Sequence, residues 1–153
     1  STLLASSAAS DVYKRQEAGT PNYSGVITWG AALDYLMDIG IERMASYEEE
    51  LLKKAEEVLA AIPQVNILGH PKQRAGCISI QIDGVHPYDF ASMIDKYGVA
   101  VRTGSMCAQP IVNKMGLDTV IRISPAFYNT MEEMEKLGEY TEKVIAFFER
   151  IKR

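Results

Sequence analysis

Residues 75–82, which read AGCISIQI, alternate strictly between the two sides of an extended chain. The three isoleucines fall on one side, and Cys77, Ser79 and Gln81 fall on the other. This alternation predicts a β-strand in a sheet that has one apolar and one polar face. Because an apolar sheet face must be covered, we expect helices to pack on that side.

The rest of the chain supplies both helices and further strands. Apolar residues recur at helical spacing in four segments, which are 25–39, 41–62, 87–97 and 130–151. Short extended runs predict further strands at 65–68, 99–102 and 119–123. This order is typical of an α+β fold, so we expect a small, largely antiparallel sheet with helices packed on one face. The last helix should begin with a capping box between Thr130 and Glu133.

Composition excludes several classes of function. The 153 residues are 47% hydrophobic and 24% charged with a net charge of −4, which is typical of one soluble globular domain. The sequence contains no basic block of the kind that binds nucleic acid, and it contains no apolar run long enough to cross a membrane. The chain has two cysteines, Cys77 and Cys107, which are thirty residues apart, and two histidines elsewhere. This spacing predicts neither a disulfide framework nor a metal site. A reducing, cytoplasmic setting is therefore expected.

The first sixteen residues, STLLASSAASDVYKRQ, differ in character from the rest of the chain. The string DVYKRQ at 11–16 resembles the translation of a transposon-end adapter used in sequencing-library preparation. We interpret residues 1–16 as a non-native, adapter-derived or disordered tail, and residues 17–153 as the folded domain. This interpretation implies that the natural protein continues upstream of Glu17.

The segment most informative about chemistry is 102–110, which reads RTGSMCAQP. A predicted strand delivers Arg102 to its end, where a guanidinium can bind a carboxylate with two hydrogen bonds. Cys107 follows in a glycine-containing loop, where exposure near cationic groups favours the reactive thiolate. Arg122 lies among apolar residues of the strand TVIRIS, and an arginine in that position is expected to face a partner. Each feature is weak by itself, but together they indicate a site.

Four stretches of this sequence resemble the C-terminal part of NifS-like, class V aminotransferase-family enzymes. They are RTGSMCAQP, EAGTPN at 17–22, RAGCISIQIDGVHPYD at 74–89, and Arg122 followed by YNT at 128–130. Within that family, the CAQP form and the short loop resemble the SUF-type (group II) cysteine desulfurases and the related selenocysteine lyases. The resemblance covers essentially all of residues 17–153. It implies the small C-terminal domain of a fold-type I enzyme that uses pyridoxal 5'-phosphate.

The resemblance also implies an activity and a role for each matching residue. Such enzymes are homodimers that convert L-cysteine (or L-selenocysteine) to L-alanine, and they pass the sulfur to an acceptor protein for iron–sulfur cluster assembly. Cys107 matches the nucleophile that holds the sulfur as a persulfide. Arg122 matches the arginine that binds the substrate carboxylate, and Arg102 matches a second arginine of that site. Thr20, with Gly19, matches a residue that reaches the cofactor phosphate of the other subunit.

Two departures from the family pattern bear on activity. Ser105 and Met106 stand where the family commonly has two histidines, so the cysteine lacks an adjacent imidazole. The lysine that holds the cofactor has no match here, which implies a missing N-terminal domain and a chain that is inactive alone. Two alternatives stay open: a selenocysteine lyase or other class V enzyme, and a non-catalytic binding module that offers its thiol to a partner.

Overall fold

The computed structural model of the protein describes residues 20–69, 71–72, 74 and 76–151. The chain divides into two compact units, with the boundary after Gly40. In the first unit, helix α1 (Tyr23–Ile39) begins where the Asn22 side chain accepts a hydrogen bond from the Gly25 N–H at 3.0 Å. It ends at Gly40, whose φ of 95° suits glycine, as the sequence predicted. The proposed tail at 1–16 lies outside the described residues.

The second unit alternates helices and strands. Its elements are, in order, α2 (Ile41–Ala60), β1 (Val65–Leu68), β2 (Ile78–Ile82), α3 (Pro87–Ile94), a 3-10 turn (Asp95–Tyr97), β3 (Arg102–Gly104), α4 (Gln109–Lys114), β4 (Val120–Ile123) and α5 (Met131–Ile151). No helix in the described ranges has both the length and the apolarity that crossing a membrane requires.

The four strands form one antiparallel sheet in the order β1-β2-β4-β3. The central strand β4 pairs Arg122 with Ser79 of β2 on one side and with Arg102 of β3 on the other. The predicted α+β fold with a largely antiparallel sheet is thus confirmed, and all four strands share that sheet.

One face of the sheet, the apolar face, packs against α2, α3 and α5. The alternation in β2 has the predicted result, because its three isoleucines are at most 3% exposed. The core cluster contains Leu51, Leu52, Ala55, Leu59, Ile62, Val65, Ile78, Ile80, Ile82, Val85, Phe90, Ile94, Ile121, Ile123, Met134, Leu137, Val144 and Ile145. The prediction that the helices cover one face is confirmed for these three helices.

The helix α5 begins with the predicted capping box. The Glu133 N–H donates to the Thr130 hydroxyl at 3.2 Å, and the Thr130 N–H donates to the Glu133 carboxylate at 2.9 Å. These bonds hold the pKa of Glu133 below its ordinary value, chiefly through the Thr130 backbone donor and next through the Asn129 side chain. The reciprocal bonds satisfy two backbone donors that a helix start leaves unpaired.

The structure corrects the region between α3 and β4. The third strand, predicted at 99–102, occupies Arg102–Gly104, because only from Arg102 onward does the chain pair with β4. Val99 and Val101 instead pack against the core, which explains their apolar character. The helix α4 was not predicted, since its six residues are too short for a periodic signal and no side chain caps its start.

Candidate functional site

The second face of the sheet, the polar face, presents most of the chemically active side chains. By strand alternation and register it is formed by Asn66, Leu68, Ser79, Gln81, Arg102, Gly104, Val120 and Arg122. Ser79 and Gln81 on β2 are half-buried, in contrast to the isoleucines that alternate with them. The polar face therefore presents hydrogen-bonding groups on a four-stranded sheet.

Arg102 and Arg122 lie directly opposite each other on the neighbouring strands β3 and β4. Directly opposed residues of an antiparallel pair project from the same face with Cβ atoms about 5 Å apart. Neither arginine forms an ion pair with a carboxylate in the described part of the chain. Two like charges placed opposite each other destabilise a sheet. An anion bound between them would remove that cost.

The Arg122 guanidinium is turned partly inward. Its Nε atom is buried and has no hydrogen-bond partner among the described residues, whereas its terminal nitrogens are not buried in this way. Arg122 lies between the buried residues Ile121 and Ile123 of β4, so alternation along the strand fixes its side chain on the polar face. The partner that the sequence led us to expect for Arg122 is not found in the described part of the chain, where the side chain forms no ion pair and its Nε has no hydrogen-bond partner.

Cys107 occupies a tight turn that follows β3. The Ala108 N–H donates to the Ser105 carbonyl at 2.9 Å, and the two central residues, Met106 and Cys107, have φ values of 54° and 61°. Two positive φ values are the signature of a type I′ turn, which favours asparagine and glycine at those positions. Left-handed backbone costs a non-glycine residue about 1–2 kcal/mol. The turn thus holds the Cys107 thiol exposed at a conformational cost.

The base of this turn is tied to the polar face. Gly104, which pairs with Val120, has a φ of 129°, a value that only glycine adopts readily. No described atom lies within 4 Å of where its Cβ would be, so conformation and not space requires glycine here. The Gln81 side-chain amide donates to the Thr119 carbonyl at the beginning of β4. These contacts fix the direction in which the chain leaves the sheet.

The remaining predicted site residues belong to the first unit. Thr20 is described and exposed, so its hydroxyl is free of steric cover from its own unit. Gly19 lies outside the described residues. Among the residues described, no group of three or more histidine, cysteine, aspartate or glutamate side chains is arranged to hold a metal ion.

The described lysines do not fit a covalent anchor for pyridoxal phosphate. An anchoring lysine must present a neutral amine, which burial favours. The described lysines are exposed except Lys54, which is half-buried. Three of them pair with glutamates: Lys54 with Glu135, Lys136 with Glu132, and Lys143 with Glu139. The glutamate hydrogen bonds raise the pKa values of Lys136 and Lys143, which keeps both amines charged. The groups that do fit are Thr20 toward a phosphate and the arginine pair toward a carboxylate.

One set of contacts near β4 has no signal in the sequence. The Glu48 carboxylate accepts from the Phe127 N–H at 3.0 Å, and the Tyr47 hydroxyl donates to the Asn129 carbonyl at 3.0 Å. Both contacts join α2 to the loop between β4 and α5, about eighty residues later. The run of three glutamates at 48–50 has the pattern of a solvated helix face, so only the tertiary structure identifies Glu48 as a loop support.

The chain is similar to known cysteine desulfurases in sequence and in structure. The family model for the aminotransferase class-V family matches residues 2–137. A cysteine desulfurase of Salmonella agona (strain SL483) is 44% identical over 123 residues, which cover 80% of this chain and 30% of that protein. The crystal structure of the Escherichia coli cysteine desulfurase CsdA, in an S-sulfonic acid form, matches with a TM-score of 0.79 at 32% identity. It covers 87% of this chain and 33% of that one.

A second solved structure agrees with the first. The apo structure of a cysteine desulfurase from Thermococcus onnurineus NA1 matches with a TM-score of 0.80 at 34% identity, covering 86% of this chain and 33% of that one. The chain thus spans about a third of the length of the relatives that it matches. Because the family model matches most of the chain and the sequence similarity is extensive, the chain belongs to the aminotransferase class-V family.

Proposed function

We propose that this chain forms the thiol-bearing, carboxylate-binding part of a SUF-type, pyridoxal-phosphate-dependent cysteine desulfurase. The supporting observation is the register that places Arg102 directly opposite Arg122, with the exposed Cys107 on the turn that follows β3. Two guanidiniums without a described counter-charge suit the carboxylate of an amino-acid substrate. The identity to proteins described as cysteine desulfurases supports L-cysteine as that amino acid.

The proposed reaction transfers one sulfur atom. The Cys107 thiolate attacks the sulfur of L-cysteine, forming an S–S bond while the substrate Cβ–S bond breaks. The electron pair of the broken bond stays with the three-carbon product, which takes up a proton and leaves as L-alanine. Cys107 is left as a persulfide, so atoms balance with no external oxidant. When bound, pyridoxal phosphate supplies the electron sink that weakens the substrate bonds.

Each site residue of this chain has a separate proposed role. Arg122 and Arg102 orient the substrate by its carboxylate, and Cys107 takes up the sulfur. Thr20, together with Gly19, donates hydrogen bonds to the cofactor phosphate of the partner subunit in a homodimer. The persulfide then passes to an acceptor protein for iron–sulfur cluster assembly in the cytoplasm, where free thiols such as these are stable. Because no described lysine suits the anchoring role, the chain alone is expected to produce no alanine from cysteine.

Competition between an anionic and a neutral alkylating agent tests this proposal on the chain itself. The rate of Cys107 modification is measured with iodoacetate and with iodoacetamide in a Cys77→Ser background. If the arginines bind carboxylates beside the thiol, iodoacetate gains an advantage that Arg122→Gln removes. We expect the iodoacetate-to-iodoacetamide rate ratio to fall about tenfold, the effect of losing a charge-assisted hydrogen bond of roughly 1.5 kcal/mol.

The exposed Arg43 on α2 provides the matched control, because Arg43→Gln removes the same charge elsewhere. That variant should keep the ratio of the parent chain. An unchanged ratio in Arg122→Gln would contradict the carboxylate-binding role. It would favour the alternative of a binding module that carries a thiol without a substrate site. A tenfold fall in Arg122→Gln alone supports the desulfurase proposal.

A further inference from the structure

The buried Nε of Arg122 limits how the guanidinium can hold a carboxylate. A guanidinium grips a carboxylate either through Nε and one terminal nitrogen or through its two terminal nitrogens. Here Nε is inaccessible and has no partner among the described residues. A ligand that arrives from solvent therefore meets the two terminal nitrogens. The Nε–H then needs an acceptor from within the protein, since burying a donor without a hydrogen-bond partner is unfavourable.

Ser79 is the residue best placed to provide that acceptor. It lies directly opposite Arg122 on β2, so both side chains project from the polar face with Cβ atoms about 5 Å apart. Its half-buried hydroxyl makes no hydrogen bond to any described residue, and rotation about χ1 can turn it toward Arg122. The next polar side chain of β2, Gln81, is already engaged with the Thr119 carbonyl. On its other side, Arg122 faces Arg102, which has only donors.

We propose that Ser79 is a positioning residue for Arg122: its hydroxyl accepts a hydrogen bond from the Nε–H and aims the two terminal nitrogens at the ligand carboxylate. This inference rests on the proposed function, because it concerns the same carboxylate site. Ser79 acts through Arg122 and does not contact the reacting sulfur. Its effect should therefore appear as selectivity for an anionic reagent, with no change toward a neutral one.

The test measures the iodoacetate-to-iodoacetamide rate ratio at Cys107 in Ser79→Ala and Ser79→Thr, again in the full chain with Cys77→Ser. Loss of the hydroxyl should lower the ratio about three- to tenfold, as expected for one hydrogen bond to a charged group. The threonine variant keeps the hydroxyl and should restore the ratio. Ser92→Ala on α3, where the hydroxyl bonds to the Tyr88 carbonyl, is the matched control and should leave it unchanged.

A second measurement does not depend on the thiol. Solvent exchange of the Arg122 Nε–H, followed by NMR in the presence of sulfate, should be faster in Ser79→Ala than in Ser79→Thr. The inference is overturned if Arg122→Gln lowers the rate ratio while Ser79→Ala does not, or if threonine fails to restore it. If Arg122→Gln also leaves the ratio unchanged, the carboxylate site itself is wrong and the role of Ser79 fails with it.

Discussion

The two faces of the sheet are formed by the same four strands but differ in character. On the apolar face, every isoleucine of β2 and β4 is buried against helices, and the core is continuous. On the polar face, two arginines oppose each other without a described counter-charge, and one has a buried nitrogen without a partner. Residues adjacent in sequence, such as Ile121 and Arg122, thus belong to surfaces with different energetic character.

This difference indicates which surface stabilises the domain and which one destabilises it. The apolar face stabilises the fold through burial. The polar face and the turn after it carry unfavourable features that folding alone does not offset: opposed charges, an unpaired donor and two left-handed residues. Unfavourable features of this kind concentrate at functional sites. The unequal faces therefore support placing the site on the polar side.

Truncation on the apolar face should have the largest effect. Ile121 is fully buried, so Ile121→Ala should lower the free energy of unfolding by about 2–5 kcal/mol through lost burial and a cavity. Urea denaturation of the chain measures this change. A loss below about 1 kcal/mol would mean that the core face is less well packed than the structure shows.

Substitution of the next residue should have the opposite sign. Arg122→Met removes one of two opposed charges while keeping an unbranched side chain. We expect the free energy of unfolding to rise by up to about 1 kcal/mol, because like charges directly opposite each other destabilise a sheet by that order. The same urea titration applies, with Arg43→Met as the control. A clear loss of stability would show that Arg122 is structurally paired, which would weaken the contrast between the faces.

Relief of the turn should have a somewhat smaller effect. Met106→Gly removes a left-handed non-glycine residue, but glycine also gains freedom in the unfolded chain. The net gain in the free energy of unfolding should be about 0.5–1 kcal/mol. A comparison with Met115→Gly, at the end of α4 where φ is −81°, controls for glycine itself and should give no gain.

The smallest effect concerns pH and the helix that covers the apolar face. The folded-state pKa of Glu133 lies below its ordinary value, so its capping contribution is present at neutral pH and is lost as the pH falls through that folded pKa. As the pH falls through that lowered pKa, the first turn of α5 should fray, with faster amide exchange at Glu133 than in the capped helix. Glu133→Gln should remove this acid dependence of amide exchange at the start of α5. Equal acid dependence in both proteins would contradict the role of the carboxylate.

The sequence was sufficient to predict the elements that carry a long or regular pattern. The alternation at 78–82 and the capping box at Thr130 both follow from local signals. The start of β3 was misplaced because pairing with β4, and not the apolar run at 99–101, defines the strand. The support from Glu48 was missed because it spans about eighty residues. Local patterns contain no information about such distances.

The sequence indicated which face of the sheet carries the site, but it did not indicate the geometry within the site. Arg122 was recognisable because a charge among apolar strand residues needs an explanation. To identify Arg102 as the residue opposite Arg122, one must know the register of β3 and β4. That register depends on the loops that connect the strands. The buried state of Nε requires side-chain packing and has no sequence signal. The roles of Arg102 and Arg122 in binding a carboxylate near Cys107 stay predictions.

The turn that holds Cys107 has a consequence for how this protein can be altered. Neither central residue of the turn is part of the hydrophobic core, and the backbone alone sets the direction of the side chain. Replacing the sulfur at this position by oxygen or selenium would change the chemistry without repacking the domain. The reactivity of this position and the stability of the fold are therefore separable properties, and selection or an engineer can adjust one while leaving the other unchanged.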